Sequence, residues 1–180
     1  MDENANHDTR IFLISILLSS YFIYNSVGSI DENALNTLAL VINLAKDVKV
    51  RMGDQSEEDT ALLKASFPSL LWVVRDFSLK MVDANNQEMT AKEYLEMALT
   101  EQRGNSDAIE KKNKIRRMTN HFFADKDCVT MVRPVEMESD LQRLDKLEDR
   151  YLRPEFKREV ENTRNKILRR AKPKILNGLT

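Results

Sequence analysis

At three places in this chain, polar or charged residues come at the end of an apolar run: Asn25-Ser26, Arg75-Asp76-Phe77 and Arg133-Pro134. The middle one carries the most chemistry. Arg75-Asp76 directly follows Leu70-Leu-Trp-Val-Val74, so the Asp76 carboxylate projects from the end of a buried strand into a crevice. Such a carboxylate can accept two parallel N–H bonds. Guanine offers that pair on one edge, its ring N1–H and its exocyclic N2–H. Adenine has a lone pair at N1, and the buried mismatch costs on the order of a few kcal/mol. The planar guanidinium of Arg75 could stack on a base or add a hydrogen bond. The same dipeptide also suits a strand-end salt bridge or a helix cap, and the residues alone leave these readings open.

Other reactive groups offer less. Cys128 is the single cysteine and lies in the apolar run Cys128-Val-Thr-Met-Val132. It excludes an intrachain disulfide and reads as a buried small hydrophobe in a reducing, cytoplasmic protein. His7 and His121 have no companion at metal-ligand spacing. With 28 basic and 29 acidic residues the net charge is −1, which gives no reason to expect nucleic acid or an anionic membrane as partner. The basic runs Lys111–Arg117 and Arg169–Lys174 read as solvated helix faces rather than as phosphate-contacting patches, the alternative that their charge leaves open. Ile11 to Tyr24 is too short and too serine-interrupted to span a bilayer, so no transmembrane segment is expected. The acidic start Met1-Asp-Glu-Asn4 does not suit a secretory leader.

The elements that would position these groups follow from periodicity. Asp8 and Thr9 are helix-capping residues ahead of a buried helix over Ile11–Leu18, and Ser19-Ser20 breaks it before a core strand at Tyr21–Tyr24. Asp31 opens a helix with Leu35, Leu38, Ala39, Ile42 and Ala45 on one face. Residues 51–60 form a polar loop, and Leu70–Val74 is a strand buried on both faces. Thr90 with Glu93 is a capping box ahead of Tyr94, Leu95, Ala98 and Leu99, and Asp107 with Glu110 repeats the signal ahead of Ile115, Met118 and Phe122. The last strand is Cys128–Val132. Ser139 with Gln142 caps a helix carrying Leu141 and Leu144, and Pro154 opens a final helix with Phe156, Val160, Ile167 and Ala171 inward. Apolar strands separated by amphipathic helices predict a doubly wound α/β sheet in one domain, although three strands are few for it.

In this order, four segments resemble a known family. Ile11–Gly28 looks like the helix and strand that follow the second switch in guanylate-binding proteins and their atlastin relatives. Phe67–Leu79 is similar to the strand ending in that group's Arg-Asp guanine motif. Cys128–Val135 resembles the strand and Arg-Pro start of the guanine cap, and Leu152–Phe156 the opening of the domain's last helix. The resemblance runs from about residue 6 to 178. It implies a partial GTPase-type α/β domain over residues 1–180, with helices on both sheet faces and without the phosphate-loop and switch strands. It makes Asp76 the guanine-selecting acceptor and Arg75 its neighbour at the base. Arg133 and Pro134 begin the cap, which in the family contributes to head-to-head homo- or heterodimers, and Ile11–Leu18 is the helix behind the second switch. GTP or GDP is the implied ligand, with Mg²⁺ in the full-length family.

The chain departs from the family pattern as well. Gly28, Gly53, Gly104 and Gly178 are its four glycines, and none has a Lys-Ser/Thr companion, so no phosphate-binding loop is present. No Asp-x-x-Gly occurs, and no Mg²⁺ ligand or catalytic residue of the family can be placed. Three readings follow. The chain is part of a GTP-hydrolysing protein, as a start at Met1 just after the switch region suggests; or a non-catalytic module that pairs with a full-length relative; or an unrelated α/β domain. On the first reading the isolated chain binds GTP weakly and, with strand edges exposed, is marginally stable or self-associating.

Overall fold

A computed structural model of the chain describes residues 3–50 and 67–174. Three parallel strands, β1 (Tyr21–Val27), β2 (Ser69–Arg75) and β3 (Lys126–Thr130), lie side by side in chain order. The register runs from Tyr21↔Ser69 to Val27↔Arg75 and from Leu70↔Lys126 to Val74↔Thr130, so all three strands end at one rim. The helices are α1 (Glu3–Leu18), α2 (Glu32–Val50), α3 (Ala91–Ala98), α4 (Asp107–Phe122), the single turn α5 (Glu138–Leu141) and α6 (Pro154–Arg170). Each new strand is added on the same side of the last, so right-handed crossovers place α2, α3 and α4 on one face. There, residues of α1 to α4 pack with Phe22, Leu70, Trp72, Val74 and Cys128. Leu71, Val73 and Val129 point to the other face, where Ile167 of α6 packs on them. The architecture is the α/β sheet with helices on both faces that the periodicity predicts.

Strand β2 is buried from Leu70 to Val74 because it has a neighbour on each side and helices above and below. Helix α2 buries Leu35, Leu38, Ala39 and Ile42 as its spacing predicts, and Asp31 Oδ1 accepts from Ala34 N at 2.8 Å. The Thr90–Glu93 capping box is formed, with Thr90 N donating to Glu93 Oε2 at 2.6 Å and Glu93 N to Thr90 Oγ1 at 3.2 Å. Arg116, only 5% exposed, ties α4 to the first turn of α2 through Glu32 at 2.6 Å, and that bond lowers the Glu32 carboxyl below its usual range.

Several expectations need correction. The first helix already runs from Glu3, upstream of Asp8 and Thr9, and it is half exposed: Ile16 is buried, whereas Ile11, Ile14 and Leu18 face solvent. Strand β1 extends three residues past Tyr24, to Val27. Ser106, not Asp107, caps α4, accepting from Ile109 N, while Glu110 pairs with Arg117. Strand β3 is Lys126–Thr130, two residues earlier than its apolar run. Asp127 is admitted to the strand because Lys166 and Arg170 of α6 pair with it at 3.0 and 2.8 Å. Met137, not Ser139, is the cap position of α5. That element is one turn, Leu144 belongs to a separate 3₁₀ turn, and neither Leu141 nor Leu144 is buried. In α6, Thr163 is the buried residue and Val160 is exposed, as is Ala171, which follows the helix as its C-cap. The loop expected at 51–60 and the side chain of Ala45 lie outside the described residues.

The two sheet edges differ. Ser69 N donates to Ser20 O and Gly28 N to Arg75 O, so the even-numbered residues of β1 turn their backbone toward β2. The peptide groups of Tyr21, Ile23 and Asn25 therefore face outward, and among the described residues no strand pairs with them. On β3 the outward residues are Lys126, Cys128 and Thr130, and the middle one is already served: the Cys128 N–H donates to Asp127 Oδ1 at 2.8 Å and its carbonyl accepts from Lys166 Nζ at 3.3 Å.

Cys128 is fully buried, and desolvation pushes its thiol up to about 12. The folded thiol stays protonated where the unfolded one, near its ordinary 9.0, ionises. This contribution to stability is whole below pH 9 and is lost as pH rises toward 12. Alkaline unfolding curves should show that loss in the native chain and less of it in Cys128→Ala, and thiol reagents should label Cys128 only as fast as the chain opens.

Candidate functional site

The candidate site lies at the rim where the strands end, the usual ligand position in open α/β sheets. Asp76 follows β2 with φ 54°, the left-handed region, in which aspartate is one of the few tolerated non-glycine residues. Such a conformation persists only when its surroundings over-determine it. Here both flanking peptides are held. The Arg75 carbonyl accepts from Gly28 N at 2.7 Å, and Phe77 N donates to the Met131 carbonyl at 2.9 Å. The neighbouring strands thus clamp the two residues on either side of Asp76. Gly28 itself has φ 80°, which a residue with a Cβ rarely adopts.

The side chains are spread around this clamp. Arg75 turns toward β1, where its Nε donates to Asn25 Oδ1 at 2.8 Å. Arg133 comes from the β3 side, with its Nε 4.0 Å from Asp76 Oδ2 and its guanidinium donating to Glu138 Oε2 at 3.1 Å. The Asp76 side chain remains 41% exposed, so its oxygens are open to a ligand. Pro134 stands at the foot of the following excursion, and its carbonyl accepts from Arg153 N at 2.8 Å. That bond brings the two ends of the 134–153 segment together above the rim. Ser26 accepts from Trp72 Nε1 at 2.9 Å and is used inside the sheet.

Arg75, Asp76, Arg133 and Pro134 therefore lie on adjoining segments of one rim. Residue spacing did not disclose Asn25 as the partner of Arg75, Glu138 as the partner of Arg133, or Met131 as the carbonyl behind Phe77, because each joins segments far apart in the chain or within an irregular stretch. The open cleft between the 77–91 segment, β3 and α6 is a different place. Its charged walls are largely self-paired, Arg158 with Glu159, Arg153 with Glu155 and Lys166 with Asp127. Among the described residues, no three His, Cys, Asp or Glu side chains come together to hold a metal ion. No helix among the described residues is long and apolar enough to cross a membrane.

What a carboxylate held this way can do is accept a pair of N–H groups from a planar ring edge. Comparison with known proteins agrees with the resemblance in the motifs. The family model for the guanylate-binding protein N-terminal domain matches residues 2–176. Guanylate-binding protein 1 of Chlorocebus aethiops is 38% identical over 178 residues, 98% of this chain and 30% of that protein. Guanylate-binding protein 1 of Homo sapiens is 37% identical over 180 residues, and guanylate-binding protein 2 of Mus musculus 35% over 178, each covering 98% of this chain and 30% of the relative. The chain thus spans about 30% of the length of these curated relatives. It belongs to the guanylate-binding protein family.

Proposed function

We propose that residues 1–180 are the base-reading part of a GTPase domain, in which Asp76 accepts the N1–H and N2–H of guanine. The observation that carries this reading is the left-handed Asp76, clamped by bonds from both neighbouring strands and still open to solvent. Strain kept at a strand end, with its carboxylate exposed, is what a preorganised acceptor requires. Arg75, pinned by Asn25, borders the base, and Arg133 with Pro134 begins the segment that covers it. No residue of the chain is assigned to phosphate transfer or to Mg²⁺. The single buried cysteine suits a reducing, cytoplasmic setting.

In a titration followed by NMR, GMP should bind and AMP should not, and GTP should bind little more tightly than GMP. Equal binding of GMP and AMP would sink the reading. A second reading, an interaction module that pairs with a full-length relative, draws on the 134–153 segment, which leaves Met137 and Tyr151 63% and 56% exposed. Formation of a complex with a full-length relative that survives Asp76→Asn would favour it.

A further inference from the structure

Tyr94 of α3 is 8% exposed and touches Phe77, beside Asp76, and Ile30, in the loop that follows Gly28. Its phenolic oxygen accepts from Ile30 N at 3.1 Å. Ile30 lies two residues after Gly28, whose N–H holds the Arg75 carbonyl, and one before Asp31, which caps α2. Its ring meets Phe77 edge-on, with centroids 5.4 Å apart at 68°. Phe77 is the residue after Asp76, held to Met131 by its own N–H. One side chain therefore braces the backbone that bonds the residue before Asp76 and packs against the residue after it. The Thr90–Glu93 capping box sits a turn upstream and sets the position of α3.

On this basis, and resting on the guanine reading above, we infer that Tyr94 is a positioning residue for base selection, setting the Asp76 carboxylate without touching the ligand. Tyr94→Phe keeps the ring on Phe77 and removes the acceptor for Ile30 N, which loosens the 28–30 loop and with it the Arg75 side of the clamp. Selectivity between guanine and hypoxanthine depends on whether both carboxylate oxygens are aligned, because hypoxanthine lacks the N2 amino group.

The test is the ratio of GMP to IMP affinity for the 180-residue chain, measured by NMR titration for the native protein, Tyr94→Phe and Asp76→Asn. Both nucleotides sample the same folded molecules, so partial unfolding lowers both affinities and leaves the ratio readable. The expected result is a ratio about fivefold lower in Tyr94→Phe, the effect of one lost neutral hydrogen bond, with faster exchange of the Gly28 amide. An unchanged ratio in Tyr94→Phe, with the ratio lost in Asp76→Asn, overturns the role of Tyr94 and leaves the guanine reading standing. No preference for GMP over IMP in the native chain overturns both.

Discussion

Asp76→Asn is expected to remove guanine binding and to shift the preference toward xanthine. The carboxylate accepts from two N–H groups, whereas the asparagine amide has one oxygen and one NH₂. Against guanine, an amide N–H then faces a base N–H, and an acceptor for a charge-assisted bond is lost. The cost is about 3 kcal/mol, roughly two orders of magnitude in affinity. Xanthine has a carbonyl where guanine has its amino group, so the amide oxygen takes N1–H and the NH₂ serves the carbonyl. Asparagine tolerates the left-handed backbone as aspartate does, so the φ of 54° survives the change. Titrations with GMP and XMP, beside a thermal melt of each protein, decide the matter. Unaltered GMP binding in a folded Asp76→Asn chain would remove Asp76 from base recognition.

The largest effect on stability is expected from Trp72→Ala. Trp72 is fully buried at the centre of β2, its ring edge-on to Tyr24 at 4.8 Å and its Nε1 donating to Ser26 at 2.9 Å. Cys128 stands beside it in the β3 register. Truncation loses the transfer energy of the indole and leaves a cavity that the crowded sheet cannot fill, together about 3–5 kcal/mol. A domain's whole stability is of order 5–15 kcal/mol, so a large share goes with this one residue. Urea unfolding followed by far-UV circular dichroism measures the loss without relying on the fluorescence of the chain's one tryptophan. Trp72→Phe should retain most of the packing and lose chiefly the bond to Ser26. A loss under about 1 kcal/mol in Trp72→Ala would mean that the sheet closes around the gap.

The α/β character and the rim position of Arg75-Asp76 were legible because they rest on short-range patterns. A wholly apolar run such as Leu70–Val74 marks a central strand, and whatever follows it lies at the sheet's end. The three-and-four spacing of Leu35, Leu38 and Ile42 fixed the buried face of α2 in the same way. What pattern could not show came from distant partners. Strand β3 begins at polar residues because Asp127 finds Lys166 and Arg170, some forty positions on. Ile11 and Ile14 read as core but face solvent, because an apolar residue on a helix does not disclose how much of the helix is covered. At the site, the left-handed turn of Asp76 is invisible in an Arg-Asp dipeptide. It needs Gly28 and Met131, each the residue that follows a flanking strand.

The unequal sheet edges set the valence of this chain as an associating particle. On β3, Asp127 and Lys166 occupy the hydrogen-bonding positions at Cys128, the middle of that edge, which disfavours addition there. On β1, the outward peptides of Tyr21, Ile23 and Asn25 pair with no strand among the described residues, with Ile23 and Val27 43% and 58% exposed beside them. A sheet that is reactive at both edges can stack without limit into a fibre, whereas one with a single open edge accepts one strand and then has no edge left to offer. Among the described residues, then, pairing through this sheet is directed to the β1 edge, and growth by edge addition is disfavoured beyond the first partner.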